Sequence, residues 1–568
     1  YILNDLPVEE SNCMKKIYIL LLVPFILYIA LLGVMPLMEP DEARYGLIAS
    51  AMNETGNYVT PHIKHTIYLE KPPLASWATA VSFKILGEND FSARLFTGLC
   101  AWGCILLVYF IGRHFRDEKT GLYSAAILTM SVYPFMIGRI NILDMPLTFF
   151  LCLSIWLGYL SIIREKKKYL YYLFYFTCAL AFLTKGIIGV VFPFGILVLW
   201  MIWAGRWRQI WRLISPVGIL IFLLTVCPWL YLAQKENPDF LWFFFVREHF
   251  LRFTTQMHGK TEPFYYFLPI IFAGTLPWSV YLIRAWQRKS VTEWLYRKNE
   301  NKFLVVWFLL ILIFYSVSSS KLMTYIVPVF LPVSLFAGSI FRNYEEDLTE
   351  PAGKRKIFYR LIVIIQSFIV LAALFVVPVL KRYADPDKGL VIMTSGYWWL
   401  YAIPVLLAVV LMIFLPDLIA RRYHKGWFLT IYLLCCVLLA SMIFLLNDFL
   451  SPYRSALVAR DEIARHVPAG QPLYQYRVDY YGIDFYNKIR TPIVEDFGEL
   501  ADGIAKMPVD ERKKYFLSVN DFDEKIKQES EVYCITKRPK KLKELQAKPW
   551  KVDILWENGE FFLLRIRN

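Results

Sequence analysis

Six short stretches of this chain place acids, bases and imidazoles among otherwise apolar residues. PDEARYG (residues 40–46) puts Asp41, Arg44 and Tyr45 directly after an apolar run. IYLEKPPL (67–74) sets Tyr68, Glu70 and Lys71 in front of Pro72 and Pro73. A proline fixes its own φ and restricts the residue before it, so Glu70 and Lys71 sit on stiff, extended backbone. Asp144 stands alone in NILDMP, and Lys185 in FLTKGIIG separates two apolar runs, with Gly186 allowing close backbone approach. REHFLRF (247–253) brings Glu248, His249 and Arg252, with His258 following, and SSSKLMTYIVP holds Lys321 and Tyr325.

These residue types suit phosphate and sugar chemistry. A carboxylate such as Asp41 acts as a general base or holds a cation. Lys71 pairs with a phosphate while Glu70 binds a metal or orients the lysine. His249 and Arg252, three residues apart, share a helical face aimed at an anion. Each group also has a plainer reading. Glu42 suits a helix start, where the dipole favours acids, and Asp144 suits a cap. Glu70 and Lys71 fit a charged lip, Lys185 fits a snorkelling lysine, and Glu248 with Arg252 fits a salt bridge four residues apart. Tyr45, Tyr68 and Tyr325 fit an interfacial aromatic belt, and His258 a solvated loop.

The elements that must position these groups are membrane helices. Of the 568 residues 57% are hydrophobic and 17% aromatic, the mean hydropathy is +0.43, and apolar runs of about 20 residues recur. The net charge of +15 does not imply nucleic acid, because Lys and Arg cluster in short loops between apolar runs, the positive-inside signal. Met14-Lys15-Lys16 looks like a natural start, so residues 1–13 read as leader residues outside the fold. Seven of nine cysteines lie in apolar runs and none forms a CxxC pair, so no disulfide framework is expected.

Apolar runs begin near residues 17, 73, 91, 119, 145, 168, 187, 213, 265, 302, 322, 357, 395 and 427. If the short, polar run at 73–87 lies along the interface, every basic loop (112–119, 162–169, 204–212, 284–302, 421–426) falls on one side. The expected fold is therefore all-α and polytopic over 14–450, with about 13 transmembrane helices plus interfacial helices. The N-terminus is then cytoplasmic, and the loops bearing Asp41, Lys71, Asp144, Lys185, Glu248 and Lys321 converge on the opposite face. From about 451 the composition turns polar, and residues 451–568 read as a small α/β domain on that outer face. PLYQY and KYFLSV look like strands, and VDILW-ENG-EFFLLRI like a terminal hairpin turning at Asn558-Gly559.

EPDEARY, YLEKPPL, Asp144, LTKG, PDFLWFFFVREHFLRF and SSSKLMTYIVP, in this order, resemble the lipid A 4-amino-4-deoxy-L-arabinose transferases. That family belongs to the C-type polyprenyl-phosphate-dependent membrane glycosyltransferases, related to the protein O-mannosyltransferases, and the similarity covers residues 17 to about 345. The resemblance implies an outward-facing cavity in a bacterial inner-membrane protein, where a sugar passes from undecaprenyl phosphate to a phosphate of lipid A. It implies Asp41 and Asp144 as site acids, Lys71, Arg252 and Lys185 on the donor phosphate, and Arg44, Tyr45, Tyr68 and Tyr325 lining the cavity. Glu70 and His249 are implied ligands of a divalent metal ion, Zn or Mg/Mn, and the expected state is a monomer with a periplasmic C-terminal domain. With no separate nucleophile in view, a single inverting displacement is expected.

Two other classes compete: transfer of a different sugar to protein, glycan or lipid, and transport of a lipid-linked sugar. Transporters place charges near the midplane between repeated halves; here the charges gather at one surface and no repeat is visible. Single cysteines at Lys71 and Lys185 are expected to react with an impermeant thiol reagent from the same side only. Labelling from both sides in turn would favour the transporter.

Overall fold

The computed structural model describes residues 22–251, 262–276, 278–279, 299–346, 427–495 and 497–568. Arg252 and His258 lie outside these residues, as do the side chain of His249, the leader residues and the runs expected from 357 and 395.

Up to Arg454 the described residues are mostly helical, and a mixed α/β domain follows. Helix α1 is Asp41–Thr55, and a two-stranded hairpin follows, β1 His62–Ile63 with β2 Thr66–Ile67. Next come α2 Leu74–Leu86, α3 Asp90–Phe115, α4 Glu118–Met130, α5 Asp144–Ile163, α6 Tyr169–Lys185, α7 Ile188–Trp203, α8 Pro216–Glu236 and α9 Asn299–Val317. Helix α10 is Phe330–Glu346 and α11 is Trp427–Arg454, so the last apolar helix runs across the expected boundary at 450.

Local sequence sets these limits. Asn89 caps α3 by accepting from the Ser92 N–H at 2.9 Å, and the Ser92 hydroxyl accepts from the Asn89 N–H at 3.1 Å, a reciprocal box. Asp117 caps α4 through the Thr120 N–H at 2.7 Å. Among the described residues, five helices are long and apolar enough to cross a membrane: α3, α5, α8, α9 and Met323–Arg342. Helix α2 has only 13 residues, about 20 Å of helix, short of the ~30 Å hydrocarbon layer. It packs beside α1, with Trp77 Nε1 donating to the Tyr58 carbonyl at 2.7 Å.

The C-terminal domain carries a six-stranded sheet: β3 Leu473–Tyr476, β4 Ile493–Val494, β5 Phe516–Leu517, β6 Val532–Lys537, β7 Lys551–Glu557 and β8 Phe561–Arg567. Their spatial order is β5-β4-β3-β6-β8-β7, parallel from β5 to β6 and antiparallel through β8 and β7. The expected strands and terminal hairpin are present, with Gly559 at φ 83° in the turn. Strands β4 and β6 were not among those expectations.

Buried ionic contacts fix this domain to the loops after the first helices. Lys64, at the β1–β2 turn, is fully buried and donates to Asp484 and the Thr491 hydroxyl, each at 3.0 Å. Glu39 accepts from the Gly482 N–H at 2.5 Å and the Tyr481 N–H at 3.2 Å. Glu42 is buried against Arg94 at 2.6 Å and also accepts from the backbone N–H of Met38 (3.0 Å) and Asn141 (2.8 Å). Glu42 stands in the first turn of α1, as its helix-start reading expects, and does not line the cavity. Beside this joint, burial pushes the Asp479 carboxyl up to about 6 against the opposing pull of Lys64.

A carboxyl raised by folding favours the folded state most when protonated. Its contribution is therefore complete below the ordinary aspartate range near pH 4 and is lost as pH rises through about 6. Melting of the full chain in detergent is expected to fall between pH 4 and 6, and Asp479→Asn to flatten that slope. An unchanged slope in the variant would remove Asp479 as its source.

Candidate functional site

The site forms where helix ends meet. Asp144 occupies the first turn of α5 and Lys185 the last turn of α6, the positions that the two helix dipoles favour for an acid and a base. The two helices pack against each other, and Lys185 Nζ donates to Asp144 Oδ1 at 2.5 Å. Gly186, at φ 90°, ends α6 in a conformation that a side chain would strain. Asp41 opens α1, so Arg44 one turn later folds back on it as an ion pair. Between β2 and Pro72 the chain bends at Glu70 and Lys71 rather than running extended as expected, and Tyr68, Glu70 and Lys71 line the cavity beside that pair.

A cavity of about 510 Å³ lies among these groups. Asp41, Arg44, Tyr45, Tyr68, Glu70, Lys71, Asp144, Lys185 and Tyr325 all line it. Ile187, Ile188, Val191, Phe314 and Leu322 give it an apolar wall. Two acids complete it. Glu248, from the π-helical segment Trp242–Leu251, accepts from Lys71 Nζ at 3.1 Å, with Glu70 3.6 Å from the same ammonium. Glu499, in the C-terminal domain, binds the second nitrogen of the Arg44 guanidinium and accepts from the Tyr68 hydroxyl at 3.3 Å.

Every cation in the lining is thus held by carboxylate: Arg44 by Asp41 and Glu499, Lys71 by Glu70 and Glu248, Lys185 by Asp144. Five acids face three bases, an excess of negative charge among the described residues. Lys185 also lies 4.5 Å from the Tyr325 ring centroid, and Arg44 5.3 and 5.7 Å from those of Tyr45 and Tyr68. Burial raises the Glu70 carboxyl against the lowering pull of Lys71. Asp41 is raised too, chiefly by burial with Arg44 opposing, although 55% of its side chain is open to the cavity.

Other candidates sit elsewhere. Lys321 donates to the Glu262 carbonyl at 3.0 Å and does not line the cavity. Arg252 and the His249 side chain lie outside the described residues. Glu248 turns to Lys71, an answer the spacing to Arg252 did not suggest. Glu499 carried no sequence signal, because a lone acid after Gly498 in a polar domain is unremarkable there. Of the two implied metal ligands, Glu70 lies 3.6 Å from the Lys71 ammonium, and the side chain of His249 lies outside the described residues.

Residues 70–232 match the family described as dolichyl-phosphate-mannose-protein mannosyltransferase. The chain is similar to undecaprenyl phosphate-alpha-4-amino-4-deoxy-L-arabinose arabinosyl transferase 2 of Pseudomonas fluorescens, 32% identical over 320 residues, 55% of this chain and 57% of that one. It is 31% identical over 316 residues to the corresponding transferase of Erwinia tasmaniensis, 54% of this chain and 56% of that one. The matched stretches thus span little more than half the length of these curated relatives. ArnT from Cupriavidus metallidurans, solved with undecaprenyl phosphate, superposes with a TM-score of 0.79 at 22% identity, covering 97% of each chain. The described residues therefore share that fold.

Because Lys185 is 14% exposed, removing its partner leaves a charge with little water. Asp144→Ala is expected to lower stability by about 3–5 kcal/mol, while Asp144→Leu with Lys185→Met recovers most of it. Denaturant unfolding of the purified chain reads both, and equal losses in the two variants would mean the pair is not coupled.

Proposed function

We propose that this chain is an integral-membrane glycosyltransferase that moves 4-amino-4-deoxy-L-arabinose from undecaprenyl phosphate to a phosphate of lipid A. The similarity to arabinosyl transferases and the shared fold support the class. One observation carries the chemistry: three cations, each held in reserve by carboxylates, stand beside an apolar wall at helix ends. That arrangement suits a ligand with a phosphate at the membrane surface and a hydrocarbon tail among helices. The excess of acids suits an ammonium-bearing sugar, which carries the opposite charge.

In this reading the bond between the sugar C1 and the donor phosphate oxygen breaks while an acceptor phosphate oxygen forms the new bond at C1 from the opposite face. The electron pair leaves on the polyprenyl phosphate, and Lys71 and Lys185 stabilise that developing charge by exchanging carboxylate for phosphate. An acceptor phosphate is already anionic, so no base is needed to remove a proton. Asp41 and Asp144 then act as carboxylates, stabilising positive charge on the sugar ring and holding it in line. Arg44 and Tyr68, with Glu499, orient the sugar. The cavity opens to the periplasm of a bacterial inner-membrane protein, with the C-terminal domain above it.

The test is transfer from synthetic undecaprenyl phosphate-aminoarabinose to lipid A in proteoliposomes, read by mass spectrometry. Lys71→Ala and Asp41→Asn are each expected to lower the rate by about 100-fold or more. With Asp41 acting ionised and its carboxyl raised, the rate should fall on acidification with an inflection above the ordinary aspartate range. No transfer by the parent chain, with transfer of another polyprenyl-linked sugar, would keep the class and overturn the substrate.

A further inference from the structure

A second charged surface lies at the other end of the helices that build the cavity. Helix α5 leaves the cavity at Asp144, α6 returns to it at Lys185 and α7 leaves again from Ile188. Residues 164–168 and 204–213 therefore sit about one helix length, roughly 25 Å, from the site. The two connections touch: Arg212 pairs with Glu165, and the Tyr175 hydroxyl donates to the Leu213 carbonyl at 2.5 Å.

Their exposed side chains are basic and aromatic. Lys166, Lys167, Lys168 and Arg208 are exposed and Arg206 half-exposed, while the acid of these two segments, Glu165, is engaged by Arg212. Trp207 and Trp211 are 58% and 76% exposed in the short 3₁₀ segment Trp207–Leu213, and the Arg208 guanidinium lies 5.3 Å from the Trp207 ring centroid. Helix α8 begins immediately after and exposes Val217, Leu220 and Leu224; only 22% of its apolar window is buried.

Lys, Arg and tryptophan at one level, with an open aliphatic ladder beneath, match one ligand chemistry: a phosphate headgroup carrying acyl chains. A soluble anion would engage the cations but leave the ladder and the two tryptophans unexplained. We infer that this collar is a binding site for an anionic glycerophospholipid of the leaflet opposite the cavity, its headgroup between residues 166–168 and 206–208 and its chains along α8. This site is independent of which sugar the cavity handles.

The full chain, delipidated in detergent and titrated with phosphatidylglycerol, phosphatidylcholine or inorganic phosphate, tests this by native mass spectrometry and thermal melting. Phosphatidylglycerol alone is expected to stay bound and to raise the melting temperature. Lys166→Gln/Lys167→Gln/Arg206→Gln/Arg208→Gln should weaken its binding more than ~10-fold, since each basic residue near an anionic lipid surface contributes roughly fivefold. Lys513→Gln/Lys514→Gln, on the C-terminal domain, should leave it unchanged. Equal stabilisation by phosphatidylcholine or by inorganic phosphate would overturn the lipid assignment, as would parental affinity in the quadruple variant. If that variant fails to insert, Trp207→Ala/Trp211→Ala keeps every charge; it should still lose affinity, and unchanged binding would overturn the proposal.

Discussion

A charge taken out of bulk water must find a counter-charge or lose its ionisation, and the cavity is organised by that requirement. Lys185 and Asp144 meet because α5 begins and α6 ends at the same level, so each helix dipole places the residue its terminus favours. Arg44 meets Asp41 because one helical turn separates them, and Lys71 meets Glu248 because the bend at Glu70 and Lys71 lies against a π-helical segment. In each case the backbone geometry comes first and the ion pair follows from it. A site built this way is charged throughout yet stable before any ligand arrives. In the proposed function an incoming phosphate would replace one carboxylate partner with another anion, so no cation would be left bare.

Much of this was legible in the sequence for a physical reason. Acids and bases in an apolar chain are conspicuous, and the proline pair after Lys71 marked a stiff segment. The asymmetry of Lys and Arg between loops pointed to one shared face for Asp41, Lys71, Asp144 and Lys185, all of which line the cavity. The shortness of α2, 13 residues, was likewise readable from the length of its run.

What was not legible depends on contacts between distant segments. Glu499 is 455 residues from the Arg44 it binds, and no local pattern in a polar domain distinguishes it from its neighbours. Glu42 and Asp41 are adjacent and alike in type, yet only Asp41 faces the cavity, because a helix turns successive residues about 100° apart and the next one points to Arg94. Strands β4 and β6 escaped notice for different reasons. The two residues of Ile493–Val494 are too few to show a period, and Val532–Lys537 is buried almost throughout, without the alternation that marks a half-exposed strand.

Glu499 also has a temporal meaning. The elements that carry Asp41, Lys71, Asp144 and Lys185 are made well before Glu499, which sits in the short 3₁₀ turn Gly498–Leu500 of the C-terminal domain. The pocket is therefore closed only once a segment 455 residues downstream of Arg44 has folded back onto it. Until then the nascent chain displays Arg44 with Asp41 but without Glu499, so that wall of the cavity waits on the folding of the C-terminal domain.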